Sequence, residues 1–157
     1  MNPMYVGDSN NVFARINKKH STGNVKVSAF RASVAERMGF PVVSEPTTSK
    51  KGKKYNKVYI NLPNRRDAER QVSRYIASGR WKFVACVSKD EARDFQYYAI
   101  DRINPELNRD RPRWNTSMEG RYALLLTELL ECEWHLRNSP LIHDGPGVYL
   151  HGNPELI

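Results

Sequence analysis

Apolar and polar positions alternate in two different periods along this chain, and the change of period marks out its elements. Residues 4–7 read as a short strand ending at Gly7. A polar Asp8-Ser9-Asn10-Asn11 turn follows, then a basic amphipathic helix over about 11–19. A second helix is predicted from about 25 to 38, with Val27, Phe30, Val34 and Met38 on one face. "KVYINL" at 57–62 alternates like a strand. Asn64 then caps a helix running to Ser78, and Gly79 supplies its stop. "WKFVACV" at 81–87 reads as a strand and ends at a Ser88-x-x-Glu91 capping box. The box opens a helix burying Ala92, Phe95, Ala99 and Ile103, which Asn104-Pro105 ends. A second box, Thr116-x-x-Glu119, opens a long helix at about 117–137 with Leu126, Leu129, Leu130 and Trp134 available for burial. Gly145-Pro146-Gly147 forms a turn into a last strand through Val148, Tyr149 and Leu150.

The resulting expectation is an α+β protein with a small central antiparallel sheet flanked by helices. It is a single domain over 1–157, since 39% of the 157 residues are apolar, enough for a modest core. No internal repeat is present. The stretch "PVVSEPTTSKKGKKYNK" at 41–57 is rich in Pro, Ser, Thr and Lys and reads as an exposed basic insertion loop, either a mobile connector or an arm following a phosphate backbone.

No segment has the length and apolarity of a membrane span or of a signal peptide, so the expected setting is cytoplasmic, with no membrane partner. Cys86 and Cys132 lie far apart, each in an apolar run, which favours two free thiols over a disulfide and offers no zinc spacing. Lysines and arginines outnumber acids 25 to 17, a net charge of +8. A polyanionic partner follows, nucleic acid before anionic membrane. The basic residues are distributed among Lys18-Lys19-His20, "SKKGKK" at 49–54, Arg65-Arg66 and "NRDRPRW" at 108–114. Arg113-Trp114 and Arg80-Trp81 set cations beside aromatic rings, as base stacking or phosphate contact would use, although Trp81 reads better as a core anchor.

The two ends carry a further pattern. Read from the C-terminus into the N-terminus, the chain gives "GVYLHGNPELI" and then "MNPMYVGDSNNVFARI". Two short strands each bear a tyrosine, with 12 residues between Tyr149 and Tyr5 through the joined termini, and a helix with an Arg follows. This resembles the GIY-YIG nuclease superfamily in circularly permuted form, Gly147-Val148-Tyr149 standing as the first tripeptide and Tyr5-Val6-Gly7 as the second. "SNNVFARI" stands where the family has Ser/Thr-x-Asn-Leu-x-x-Arg, and "QYYAIDRINPELN" matches the later signature with Ile100, Pro105 and Asn108 at the family's offsets. Termini that lie close together make the permutation physically possible; the last strand could equally complete a neighbouring subunit.

The resemblance implies a metal-dependent DNA endonuclease, sequence-specific and restriction-like, intracellular and bacterial or phage-encoded, using one Mg²⁺ or Mn²⁺ per active site. Tyr5 or Tyr149 would help activate water with His20, Arg15 would steady the scissile phosphate and Asn108 would organise the site. The family's metal-binding Glu falls on Gln96, and a neutral amide is a poor ligand for a hard cation, so this form should cleave weakly or not at all. Either a Glu was exchanged for its isostere to hold a substrate complex, or a natural binding protein has lost catalysis. The His is also out of step: the family's offset of four from Arg15 lands on Lys19, with His20 one further. His151, close to Tyr149, is a second candidate base.

Lys18, Lys19, Arg31, Lys50, Lys51, Lys53, Lys54, Arg111 and Arg113 are the candidate nucleic-acid contacts, and double-stranded DNA is the expected partner. A palindromic duplex would call for a homodimer through the apolar face of the 117–137 helix. An inactive DNA-binding module of the same fold and a structure-specific repair or RNA nuclease are the alternatives.

Overall fold

The computed structural model describes residues 1–153. Its architecture is α+β, with a central antiparallel sheet flanked by helices. Strand β1 (Asn2–Ser9), helix α1 (Val12–Ala14) continuing as a π-helical turn (Arg15–His20), and α2 (Ala29–Arg37) open the chain. A hairpin of β2 (Val42–Thr48) and β3 (Lys54–Ile60) follows, then α3 (Arg65–Ala77), β4 (Arg80–Ala85), α4 (Lys89–Ile103), α5 (Glu119–Glu131) and β5 (Gly147–Asn153).

The sheet runs β1-β5-β4, so the last strand lies in the middle, antiparallel to both neighbours. Every residue of β5 is buried. Asn2 pairs with Asn153, so the ends of the described chain lie side by side; residues 154–157, through which the permuted connection would pass, lie outside the described residues. One face of the sheet packs Tyr149 and Trp81 against Ile16 from the π-helical turn and Phe30, Val34, Val72 and Ile76 from α2 and α3. The other packs Val6, Val84, Val148 and Leu150 against Phe95, Ala99, Tyr122 and Leu129 from α4 and α5.

Helix caps explain most boundaries. Ser88 Oγ accepts from Glu91 N–H, and the Glu91 carboxylate reaches Val87 N–H rather than the cap residue's own, a shifted capping box. Asn104, in the left-handed region at φ 52°, closes α4. The helix expected over 25–38 starts only at Ala29, because Ser28 caps it, and Val27 and Met38 each stay 37% exposed. The expected 117–137 helix is shorter too: Asn115, not Thr116, caps a 3₁₀ turn, and α5 ends at Glu131. Beyond it the backbone turns extended so that His135 pairs with Trp81 at the free edge of β4, through bonds of 2.8 and 2.7 Å. Leu129 is buried, Leu126 and Trp134 half-buried, and Leu124 and Leu130 exposed. Cys86 and Cys132 are both free.

The 41–57 stretch is a correction. It is an ordered two-stranded ribbon, paired in register from Val42↔Ile60 to Thr48↔Lys54. Its inner end is anchored by Val42, Val58 and Ile60 in the core, and Pro46 is tolerated because β2 has a free edge.

Candidate functional site

Residues 5–7 and 147–149 lie on adjacent antiparallel strands and overlap at one pair, Gly7 opposite Tyr149, while Tyr5 stands opposite His151 and Gly147 opposite Ser9. The Tyr149 ring lies directly over Gly7. A Cβ there would stand 2.3 Å from the Tyr149 oxygen and 2.4 Å from Cζ, so only glycine admits the ring. Gly147 is likewise confined, 2.4 Å from the Val84 carbonyl oxygen.

Tyr149 is buried, and its hydroxyl lies 2.5 Å from His20 Nε2. The π-helical turn is what brings His20 there. Ser21 N–H bonds to the Ile16 carbonyl, five residues back, so one extra residue is absorbed per turn and the residue five after Arg15 points inward. Lys18 and Lys19 are exposed as a result. A local change of helix pitch thus turns the residue five after Arg15, rather than the fourth, to the inside.

His20 Nδ1 lies 2.6 Å from Ser28 Oγ, which also accepts the Arg31 backbone N–H at 3.1 Å. Ser28 thus caps α2 and holds the imidazole at once. Burial, reinforced by the positive Arg15, holds His20 well below the ordinary histidine range, so the ring is neutral. It has one donor and one acceptor nitrogen, matching its two hydroxyl partners. Burial also pushes the Tyr149 phenol well above its usual range, with Tyr5 adding to the rise and Arg15 opposing it. Tyr5 is raised for the same first reason, again opposed by Arg15. Its ring is stacked on Phe30 at 4.7 Å and lies 6.0 Å from that of His20. Arg15 thus sits by both tyrosines, and its Nε is buried with no hydrogen-bond partner.

Gln96 and Asn108 reach the outer edge of β1. Asn108 Oδ1 accepts from Val6 N–H at 2.8 Å and its Nδ2 donates to the Val6 carbonyl at 2.9 Å, extending the sheet by a side chain. Gln96 Nε2 donates to the same carbonyl at 3.3 Å. Beside them opens a cleft of about 420 Å³ whose lining includes Tyr5, Gln96, Tyr97, Asn108, Arg109 and Asp110. Five of the six residues expected at the site therefore gather around Tyr5, with Arg15 coupled electrostatically to it. Only Tyr5, Gln96 and Asn108 line the cleft; Tyr149 and His20 stand behind, closed off from solvent.

The remaining candidates divide by exposure. Lys50, Lys51, Lys53 and Lys54 form the tip of the ribbon, and Arg111 and Arg113 are exposed in the segment after α4. Arg111 is tied to the Asn108 carbonyl and to Asn104 Oδ1. Arg31 is a correction. It is fully buried, donating to the carbonyls of His20 and Glu69, to Ser73 Oγ and, at 3.1 Å, to the Glu69 carboxylate. It braces α2 against α3 and presents nothing to a ligand. His151 is buried behind Trp81 and Phe30, against the Ile76 carbonyl.

Two residues escaped the sequence reading. Ser28 was legible as a cap-type serine before an apolar-periodic run. Asp8 directly follows the second tripeptide, and strand alternation sets it with Val6 on the α4 side. There burial raises its carboxyl while Arg93, Lys89 and Arg15 pull it back down. Among the described residues no three or more His, Cys, Asp or Glu side chains group as a metal site, and no helix is long and apolar enough to cross a membrane. Comparison with family models, with curated proteins and with solved structures matches none of them.

Proposed function

We propose that this chain is a DNA endonuclease of the GIY-YIG type, acting on phosphodiester bonds, in a form that binds DNA and cleaves it poorly. The observation that carries the reading is that Arg15, with a buried and unpartnered Nε, sits beside Tyr5 and Tyr149, and that Tyr5 in turn lines the cleft with Gln96 and Asn108. A guanidinium beside phenolic hydroxyls suits a phosphoryl oxygen, and an unpartnered nitrogen leaves it hydrogen-bonding capacity to spare. Of Tyr5 and Tyr149 it is Tyr5 that lines the cleft, and there it would meet the attacking water. Tyr149 and His20 are positioning residues: the buried hydroxyl–imidazole–Ser28 chain holds the π-turn, and with it Arg15, against the strand pair. Asn108 fixes the edge of β1 on which Tyr5 sits.

A divalent cation does not fit the residues as they stand. Gln96 offers a neutral amide whose NH₂ is turned to the Val6 carbonyl, and Asn108 is spent on the same peptide group. With Glu at 96 a carboxylate would face the cleft, and Mg²⁺ or Mn²⁺ could supply charge stabilisation at the leaving oxygen.

The test compares this chain with Gln96→Glu on mixed plasmid and phage DNA, with and without Mg²⁺. The expected result is cutting at discrete sites by the variant and binding alone by the chain as written. If neither cuts DNA, the endonuclease reading falls and the inactive binding module replaces it. Preferential cutting of RNA or branched substrates would move the assignment to a structure-specific nuclease.

A further inference from the structure

The hairpin turned out to be a built element, and its construction bears on what it touches. Ser49 N–H donates to the Lys53 carbonyl, Gly52 N–H donates to the Ser49 carbonyl, and Ser49 Oγ accepts from Lys53 N–H. Gly52, at φ 80°, closes this three-residue loop in the left-handed region. The turn therefore presents Lys50 and Lys51 at a fixed tip, with Lys53 and Lys54 on the returning strand. Seven residues per strand carry that tip about 20 Å from its anchor. The ribbon holds five lysines and one glutamate.

At the ribbon's base lies a second groove of about 370 Å³, bounded on one side by Tyr55, Lys57 and Tyr59 and on the other by Lys26, Arg65 and Arg66. The cations are layered on the rings: Lys26 stands 5.6 Å over Tyr55, and Lys57 and Arg65 stand 5.2 and 4.9 Å over Tyr59. The carboxylates at this groove are already engaged. Glu45 accepts the Tyr59 hydroxyl and lies opposite Lys57, and Glu69 is paired with Arg31. The outward charge is predominantly positive, with Glu45 the one acid on the ribbon.

Exposed lysines also guard a free strand edge against aggregation. That role accounts for charges on the strands but not for a fixed lysine tip continuous with a cation-lined groove. A two-stranded antiparallel ribbon has the width the B-form major groove admits, whereas the A-form major groove is too deep and narrow for it.

We infer that the β2–β3 ribbon enters the major groove of duplex DNA with Lys50, Lys51, Lys53 and Lys54 on its phosphates and edges, while Lys26, Arg65 and Arg66 hold the adjoining backbone. This rests on the DNA-directed reading above and names the element that would read the sequence.

The test measures binding of a fluorescent 24-base-pair mixed-sequence duplex by anisotropy, without metal, for the chain as written and for K50A/K51A/K53A/K54A. All four side chains are exposed and Gly52 is retained, so the fold is kept; circular dichroism checks this. Up to four phosphate contacts go with the four lysines, lowering the salt slope by as much as roughly 3.6, so between 50 and 200 mM salt the native chain should lose up to about 100-fold more affinity than the variant. Duplex with glucosylated major-groove cytosines should bind weakly, while a minor-groove ligand should not compete. An unchanged salt slope, indifference to major-groove blocking, or equal binding of duplex RNA would each overturn the ribbon assignment. Cleavage by the Gln96→Glu chain, scored separately with and without the four alanines, decides the nuclease reading: discrete cutting that survives the four alanines unaltered sinks the ribbon and leaves the nuclease standing.

Discussion

Acid should unfold this protein through its buried histidines, and His151 allows the size of the effect to be worked out. The ring is closed off from solvent among Trp81, Phe30 and Tyr75, with Nε2 at 3.2 Å from the Ile76 carbonyl and Nδ1 facing no acceptor. A proton on Nδ1 would create a buried cation with nothing to pair it. Burial accordingly lowers the folded-state pKa from 6.5 to about 4. Between those values the unfolded chain binds a proton that the folded chain does not, so stability rises with pH across this window. The contribution is complete above about 6.5 and is lost as pH falls through 4. At 1.36 kcal/mol per unit, the window is worth about 3 kcal/mol, a large share of a small domain's total. His20 is shifted in the same direction and adds to the loss, while Asp8, with its carboxyl raised, works against it. The assay is urea unfolding followed by tryptophan fluorescence from pH 7.5 to 4.5, on the native chain and on His151→Gln. The substitution should cost stability at pH 7.5 yet flatten the slope below 6.5, so that the two curves converge toward pH 4.5. Curves that stay parallel across the range would refute the argument, because the acid loss would then come from other groups.

Two further predictions concern the strand pair that carries the site. Gly7→Ala should destabilise by about 2–3 kcal/mol by overpacking against the immobile Tyr149 ring, whereas Gly120→Ala, with nothing near its added methyl, should be neutral or stabilising by up to about 1 kcal/mol; urea midpoints compare them. Asn108→Ala should cost about 2–4 kcal/mol and speed amide exchange at Val6, since the Val6 N–H would lose its partner and its carbonyl one of two; unchanged exchange would show that the side chain is dispensable to the strand.

How far the chain could be read in advance depended on whether each segment meets water on one face. Helix α4 meets it on one face and the core on the other. Ala92, Phe95 and Ala99 therefore recur at helical spacing, and Ser88 and Asn104 mark its ends as their chemistry requires. The pairing of β1 with β5 was legible for a different reason: each carries a Gly and a Tyr two residues apart, in opposite order, and the antiparallel register sets Tyr149 on Gly7.

The ribbon failed because most of its residues touch solvent on both faces. No apolar period distinguishes such strands from a loop, and only its inner end, Val42, Val58 and Ile60, carries a buried stripe. Arg31 failed for the opposite reason. An arginine in a basic chain reads as surface, and only the approach of Glu69 and Ser73 on α3, some forty residues away in sequence, makes it a buried brace.

The histidine was the instructive case. Counting at 3.6 residues per turn lands on Lys19, and the count is right for an α-helix. The chain spends one extra residue in a π-turn, which in an isolated helix would be unfavourable and here is secured by Tyr149 on one side of His20 and Ser28 on the other. The local pitch at the candidate site is thus set by two hydroxyls, that of Ser28 eight residues on and that of Tyr149 near the far end of the chain. It follows that removing either hydroxyl should act on Arg15, one turn away, before it acts on anything the imidazole itself could do.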